Sequence, residues 1–209
     1  IPMNIQNIKY KNKVITTEQS TILALDAARK TGWAIYKTGE IVEHGTKIFS
    51  YDPVDLEGYK IFSYKCWLDE MIEKHKITML VAEDIFRDTS KLRDNAFEEL
   101  AGMKAALLIV SFERNLPVIF INPITIKQKM IPSVLMSFSK QEKEKKKTRE
   151  ECKKRMINAV TNKLGYKLEK PDADDEADAI GILITYINTH NLPIVHPNET
   201  ESKTKQTYT

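Results

Sequence analysis

Ile22-Leu23-Ala24-Leu25-Asp26, the turn Ala27-Ala28-Arg29-Lys30-Thr31-Gly32, and Trp33-Ala34-Ile35-Tyr36 form the stretch on which the fold turns. Four apolar residues that stop at a carboxylate read as a short buried strand. The run after Gly32 reads as a second strand. Lys37-Thr38-Gly39-Glu40 supplies turn residues, and Ile41 to Phe49 reads as a third strand. Three short strands joined by short turns predict an antiparallel meander.

The C-terminal side alternates. Leu56 to His75 places Ile61, Tyr64, Leu68, Met71 and Ile72 at helical spacing, and Ile77 to Ala82 is a strand that runs out at Glu83. Asn95 to Arg114 is a second helix, with Leu100, Met103, Leu107 and Val110 on one face. Pro117 to Ile121 is a fifth strand, and Asn122-Pro123 is a turn or helix start. Met130 to Lys147 reads as a mobile loop entering a basic helix from about Lys147 to Leu164, which Gly165 ends. Asp172 to Glu176 opens a last helix to about Asn188, its acids offsetting the positive end of the dipole. Strands interleaved with helices predict an α/β fold, a mixed sheet with helices on its faces. Residues 1–20 read as an arm or extra strand, and 191–209 as a polar, disordered tail.

Composition sets the frame. A chain of 209 residues suits one domain. It buries enough surface to need no disulfide. The net charge of +3 is small, but Lys140 to Arg155 holds nine Lys or Arg against four Glu, so position matters more than total. Cys66 and Cys152 lie far apart and match no metal spacing; they read as reduced thiols. Ile1 to Thr21 lacks the apolar core of a leader, and Met3 reads as the natural start. No run approaches the roughly 20 apolar residues of a spanning helix. A cytoplasmic location without membrane contact is the expectation.

Three carboxylate positions share one property: each sits where an apolar element runs out. Asp26 ends the first strand, Glu83 ends the fourth, and Asp175 and Asp178 share a helix face at the start of the last helix. Clustered carboxylates repel one another unless a cation neutralises them. Oxygen ligands select hard cations, Mg²⁺ or Mn²⁺. Two such ions can activate water and stabilise a leaving oxygen in phosphodiester cleavage. Each signal alone has an ordinary explanation: an Asp after a strand is usually a turn residue, and Asp174 reads first as a cap. Their conjunction, in this order and on this strand pattern, is what argues for a site.

The same residues carry a family resemblance. Leu25-Asp26-Ala27-Ala28-Arg29-Lys30-Thr31-Gly32-Trp33-Ala34, Val81-Ala82-Glu83-Asp84-Ile85-Phe86, Ala101-Gly102-Met103-Lys104-Ala105-Ala106, Ile126-Lys127-Gln128 and Asp175-Glu176-Ala177-Asp178-Ala179 resemble, in order, the motifs of the RuvC-type Holliday junction resolvases. The match spans roughly Thr21 to Asn188. The resemblance implies an RNase H-like mixed β-sheet of five strands flanked by α-helices, with residues 21–190 as the nuclease domain. It implies a homodimer that places paired nicks in a four-way DNA junction. It implies Asp26, Glu83, Asp175 and Asp178 as catalytic ligands of two Mg²⁺ ions, with Mn²⁺ able to substitute. Lys127 would serve as a catalytic residue on the scissile phosphate, assisted by Lys147 or Arg149. Phe86 would stack on unpaired bases near the junction centre, a contact of about 1–3 kcal/mol per base. The family's Pro-Gly after the first Asp is here Ala27-Ala28, and the segments from Phe86 to Gly102 and from the basic helix to Asp175 look longer. Such drift suits a divergent, phage-type member.

The basic run, with Arg87 and Lys91 after Phe86, has two readings: a solvated Lys/Glu face or a phosphate track. Beside a nuclease site the second is favoured, giving Arg87, Lys91, Lys147 and Arg149 as DNA contacts, alongside Phe86 and Lys127, whose DNA contacts the resemblance implies. His44, His75, His190 and His196 show no ligand spacing and read as surface or cap residues. Trp33 and Trp67 read as core or dimer-face residues. Two other activities stay open: a related nuclease acting on forks, flaps or other branched nucleic acid, and a junction-binding protein without cleavage. An actin-like ATP-binding fold is excluded, because seven glycines in 209 residues leave no room for its phosphate loops and second half.

Overall fold

Alternation along the strands decides which side chains meet which helices. The computed structural model describes residues 20–50, 58–85, 94–131, 142–165, 167–168 and 173–194, with the backbone alone at 94–96 and 142–149. Its five strands are β1 (Thr21–Asp26), β2 (Lys30–Lys37), β3 (Glu40–Ile48), β4 (Met79–Glu83) and β5 (Val118–Ile121). They form one mixed sheet in the order β3-β2-β1-β4-β5. β2 is antiparallel to β1 and β3, while β4 and β5 run parallel to β1. The β2–β3 turn is tight because Thr38 and Gly39 both adopt positive φ, 47° and 101°, as a two-residue hairpin with the sheet's twist requires.

The central strands β1 and β4 are buried on both faces, which is why they are nearly continuous apolar runs. Leu23, Leu25, Ile35, Leu80 and Ala82 face α1 (Tyr59–His75) and α2 (Asp94–Glu113). Ile22, Ala24, Ala34, Tyr36, Met79 and Val81 face the other layer: α3 (Pro123–Met130), α4 (Glu142–Leu164) and α5 (Asp174–Thr189). α5 lies between the sheet and α3–α4, so it is buried nearly all round from Ala177 to Ile187. Each of Ile180, Ile182, Leu183 and Ile184 removed from water contributes about 1.5–3 kcal/mol. Gly181 lets α5 pack directly on the Met156 sulfur of α4.

Of the two readings of Asn122-Pro123, the helix start is the one observed: the Asn122 side chain accepts the Ile124 N–H at 2.8 Å at the start of α3, with Pro123 in the first turn. Two features differ from the sequence expectation. α4 begins at Glu142, five residues early, because its Lys/Glu-rich start has good intrinsic helix propensity. Residues 191–194 stay on the folded body: the Tyr36 hydroxyl donates to the Pro193 carbonyl at 2.8 Å, and Leu192 and Ile194 pack against the core. Among the described residues no helix is long and apolar enough to cross a membrane.

Candidate active site

The strand register sets two carboxylates side by side. Leu25 pairs with Ala82 across the parallel β1–β4 ladder, so Asp26 and Glu83 follow together at the ends of their strands. By the period of two, both point to the α5 face: Asp26 with Ile22 and Ala24, Glu83 with Met79 and Val81. Asp84 does not join them. Lys104 of α2 holds its carboxylate and lies 4.4 Å above the Phe120 ring.

α5 brings the third. Asp26 pairs with Gly32 on β2, and a Cβ at Gly32 would overlap the Asp175 carbonyl oxygen. The missing side chain is what lets the first turn of α5 seat on β2 and carry Asp178 to Asp26. Lys127 reaches in from α3 and Lys153 from α4. Together Asp26, Glu83, Asp178, Lys127 and Lys153 line a cleft of about 200 Å³, walled by Ile126, Ile131 and Met156.

The expected four carboxylates therefore divide into three and one. Asp26, Glu83 and Asp178 share the cleft, and among the described residues none has a hydrogen bond or ion pair to its carboxylate. Asp175 lies at the rim, where its carboxylate pairs with Lys30 at 2.7 Å. Asp174 is not a cap: Ala173 takes that position, and Asp174 is held by Lys153 and, at 3.8 Å, by Lys30.

The electrostatics follow this division. Burial, then the charges of Glu83 and Asp178, push Asp26 well above the usual carboxylate range. Burial and Asp178 push Glu83 up to about 7, with Lys127 opposing. Burial, then Asp175 and Asp174, push Asp178 up to about 6, opposed by Lys127 and Lys153. At Asp174 burial also acts upward, but the hydrogen bond from Lys153 and the charges of Lys153 and Lys30 outweigh it and hold it low. Three uncompensated carboxylates beside two lysines form a region short of positive charge. An all-oxygen donor set of this kind suits a hard divalent cation. Among the described residues no three His, Cys, Asp or Glu side chains already converge tightly enough to hold an ion, so an ion would have to draw them together.

Phe86, Arg87 and Lys91 lie outside the described residues, and Lys147 and Arg149 are on α4 with only their backbone described. Sequence reasoning missed Lys153, Lys30 and Gly32 as site residues. Lys153 stands one helical turn after Arg149, so an i, i+4 place on the same face of a basic helix was its only signal. His44 is no simple surface residue: it meets the buried carboxylate of Glu176, which is 6% exposed, and ties β3 to the first turn of α5.

No protein-family model and no curated protein sequence matches the chain. Solved structures do. The structure of Thermus thermophilus RuvC in complex with a Holliday junction substrate is 14% identical with a TM-score of 0.61, covering 83% of this chain and 96% of that one. Another Thermus thermophilus RuvC structure is 15% identical with a TM-score of 0.56, covering 82% and 97%. The yeast mitochondrial Holliday junction resolvase Ydc2 is 12% identical with a TM-score of 0.54, covering 83% and 80%. The chain has the RNase H-like fold of RuvC.

Proposed function

We propose that this chain, which has the RuvC-type resolvase fold, is a Mg²⁺-dependent endonuclease that resolves four-way DNA junctions by paired phosphodiester hydrolysis. The observation that carries the reading is the cleft in which Asp26, Glu83 and Asp178 stand together, partly buried and, among the described residues, with no hydrogen bond or ion pair to their carboxylates. That arrangement is costly for folding, so it argues for a cation-dependent task. The junction as substrate is taken from the likeness to a RuvC bound to a Holliday junction, and it is held by analogy of fold.

Asp26, Glu83 and Asp178 would hold the ions, with Asp175 completing the set. Two Mg²⁺ ions, when bound, supply activation of water and neutralisation of the leaving oxygen; Mn²⁺ would substitute. Lys127 presents an ammonium to a non-bridging phosphate oxygen and orients the scissile bond. A water oxygen bonds to phosphorus as the P–O3′ bond breaks, and a proton from water ends on the leaving oxygen, giving a 3′-hydroxyl and a 5′-phosphate. Ile126, Ile131 and Met156 keep bulk water from one wall of the cleft. On this reading Phe86, Arg87, Lys91, Lys147 and Arg149 contact DNA beyond the cleft.

A homodimer suits a two-fold junction, one site for each of two symmetric strands. The exposed apolar residues Leu108, Ile109 and Phe112 on α2, with Phe62 on α1, favour a second copy as the partner of that face.

The test is cleavage of a labelled four-way junction beside a linear duplex, a flap and a fork, with Mg²⁺ and with Mn²⁺. Paired symmetric nicks on the junction alone support the resolvase. Equal cutting of forks and flaps leaves a nuclease of broader substrate. Tight binding with no cutting under either metal replaces the nuclease with a junction-binding protein.

A further inference from the structure

We propose that Lys30 is a tethered counter-ion of Asp175 that competes with the divalent cation for that carboxylate and so sets the metal concentration the site needs. The inference rests on the metal-dependent reading above. It starts from Gly32, whose missing Cβ lets the Asp175 backbone lie directly on β2. Lys30 is two residues from Gly32 on the same strand and therefore on the same face. The close approach that delivers α5 to the sheet thus also delivers Asp175 to the Lys30 ammonium.

The contacts are specific. Lys30 Nζ lies 2.7 Å from Asp175 Oδ2 and 3.8 Å from Asp174 Oδ1. Lys153 takes the other oxygen of Asp174. The two outer aspartates are thereby neutralised by the protein itself, while Asp26, Glu83 and Asp178 are not. An ion entering the cleft meets three inner carboxylates that feel the charges of Lys127 and Lys153 but are in no direct ion pair among the described residues. To use Asp175 as well, it must displace an ammonium that is held at high effective concentration by its own strand. Asp175 is then the last ligand to be recruited, and Lys30 weakens the step that recruits it. The Lys30 and Asp175 side chains are 38% and 23% exposed, so solvent screens the pair and the expected effect is modest.

The test is Mn²⁺ binding to the DNA-free, full chain by titration calorimetry. It compares wild type, Lys30→Gln, Lys30→Arg, Asp175→Asn and the Lys30→Gln/Asp175→Asn double variant, each shown to be folded by circular dichroism. Lys30→Gln should bind Mn²⁺ about twofold to fivefold more tightly. Lys30→Arg, which keeps the charge on Asp175, should stay near wild type. In the Asp175→Asn background the gain from Lys30→Gln should vanish. Unchanged or weaker binding by Lys30→Gln overturns the proposal and makes Lys30 a support for Asp175. A gain that persists in full without Asp175 also overturns it, because the cause would then be the general field of a lysine. No Mn²⁺ binding by the wild type would overturn the metal-dependent reading itself, and this inference with it.

Discussion

Glu83 is the residue at which the cost of the site should be measurable. Its carboxyl is pushed from an ordinary 4.5 to about 7, chiefly by burial. The folded chain then binds that proton more tightly than the unfolded chain does, so the group lowers stability as pH rises from about 4.5 to 7. Glu83→Gln removes the group. In EDTA the variant should gain on the wild type across this window, by about 3 kcal/mol at most. Thermal unfolding from pH 4 to pH 8 checks this; a difference that does not change with pH rejects it. Asp178→Asn tests the chemistry. It should slow junction cleavage at least about 100-fold while sparing junction binding, measured by single-turnover cutting and gel shift. Near wild-type cutting would remove Asp178 from the ligand set. Asp175→Asn should be the milder of the two, because Asp175 stands outside the cleft and is already paired.

At the scale of elements, the seat of α5 on β2 governs the site. Gly32→Ala forces the Asp175 turn away from the sheet. The expected loss is about 1–3 kcal/mol of stability together with a fall in cleavage larger than the stability loss explains. Gly45→Ala is the control. Its Cβ would meet the Trp33 ring at 3.1 Å, on the opposite side of the β2–β3 pair from α5, so it should lower the melting temperature and leave cutting intact. Melting curves and cleavage rates for both variants decide the matter: equal loss of cutting would deny α5 seating its role. The His44–Glu176 contact makes a second tie between β3 and the same turn, so two strands position one helix end.

For the whole molecule, the exposed apolar residues of α1 and α2 are the feature that a single chain leaves unexplained among the described residues. Phe112 is 59% exposed and Phe62 63% exposed, and Leu108 and Ile109 are exposed as well. A single chain seldom leaves such a group to water without a partner. Phe112→Glu should shift the chain from dimer to monomer in sedimentation. In a plasmid cruciform it should also uncouple the two nicks, so that singly nicked circles accumulate. A wild type that sediments as a monomer at micromolar concentration would refute the dimer and leave the face to another partner.

The strand pattern, the mixed sheet and the terminal positions of Asp26, Glu83, Asp175 and Asp178 were all legible in the residues, because burial periodicity and element ends are local properties of a chain. The same locality explains what was illegible. That Glu83 faces the cleft while Asp84 turns to Lys104 depends on the β1–β4 register and on α2. That Asp178 enters and Asp175 stays at the rim depends on the contact between Gly32 and a residue more than 140 positions away. Lys30 and Lys153 are ordinary surface lysines in one dimension; they become part of the site only because β2, α4 and the start of α5 meet. Charge compensation is a matter of distances of a few ångströms between remote segments, and only the packed chain sets those distances.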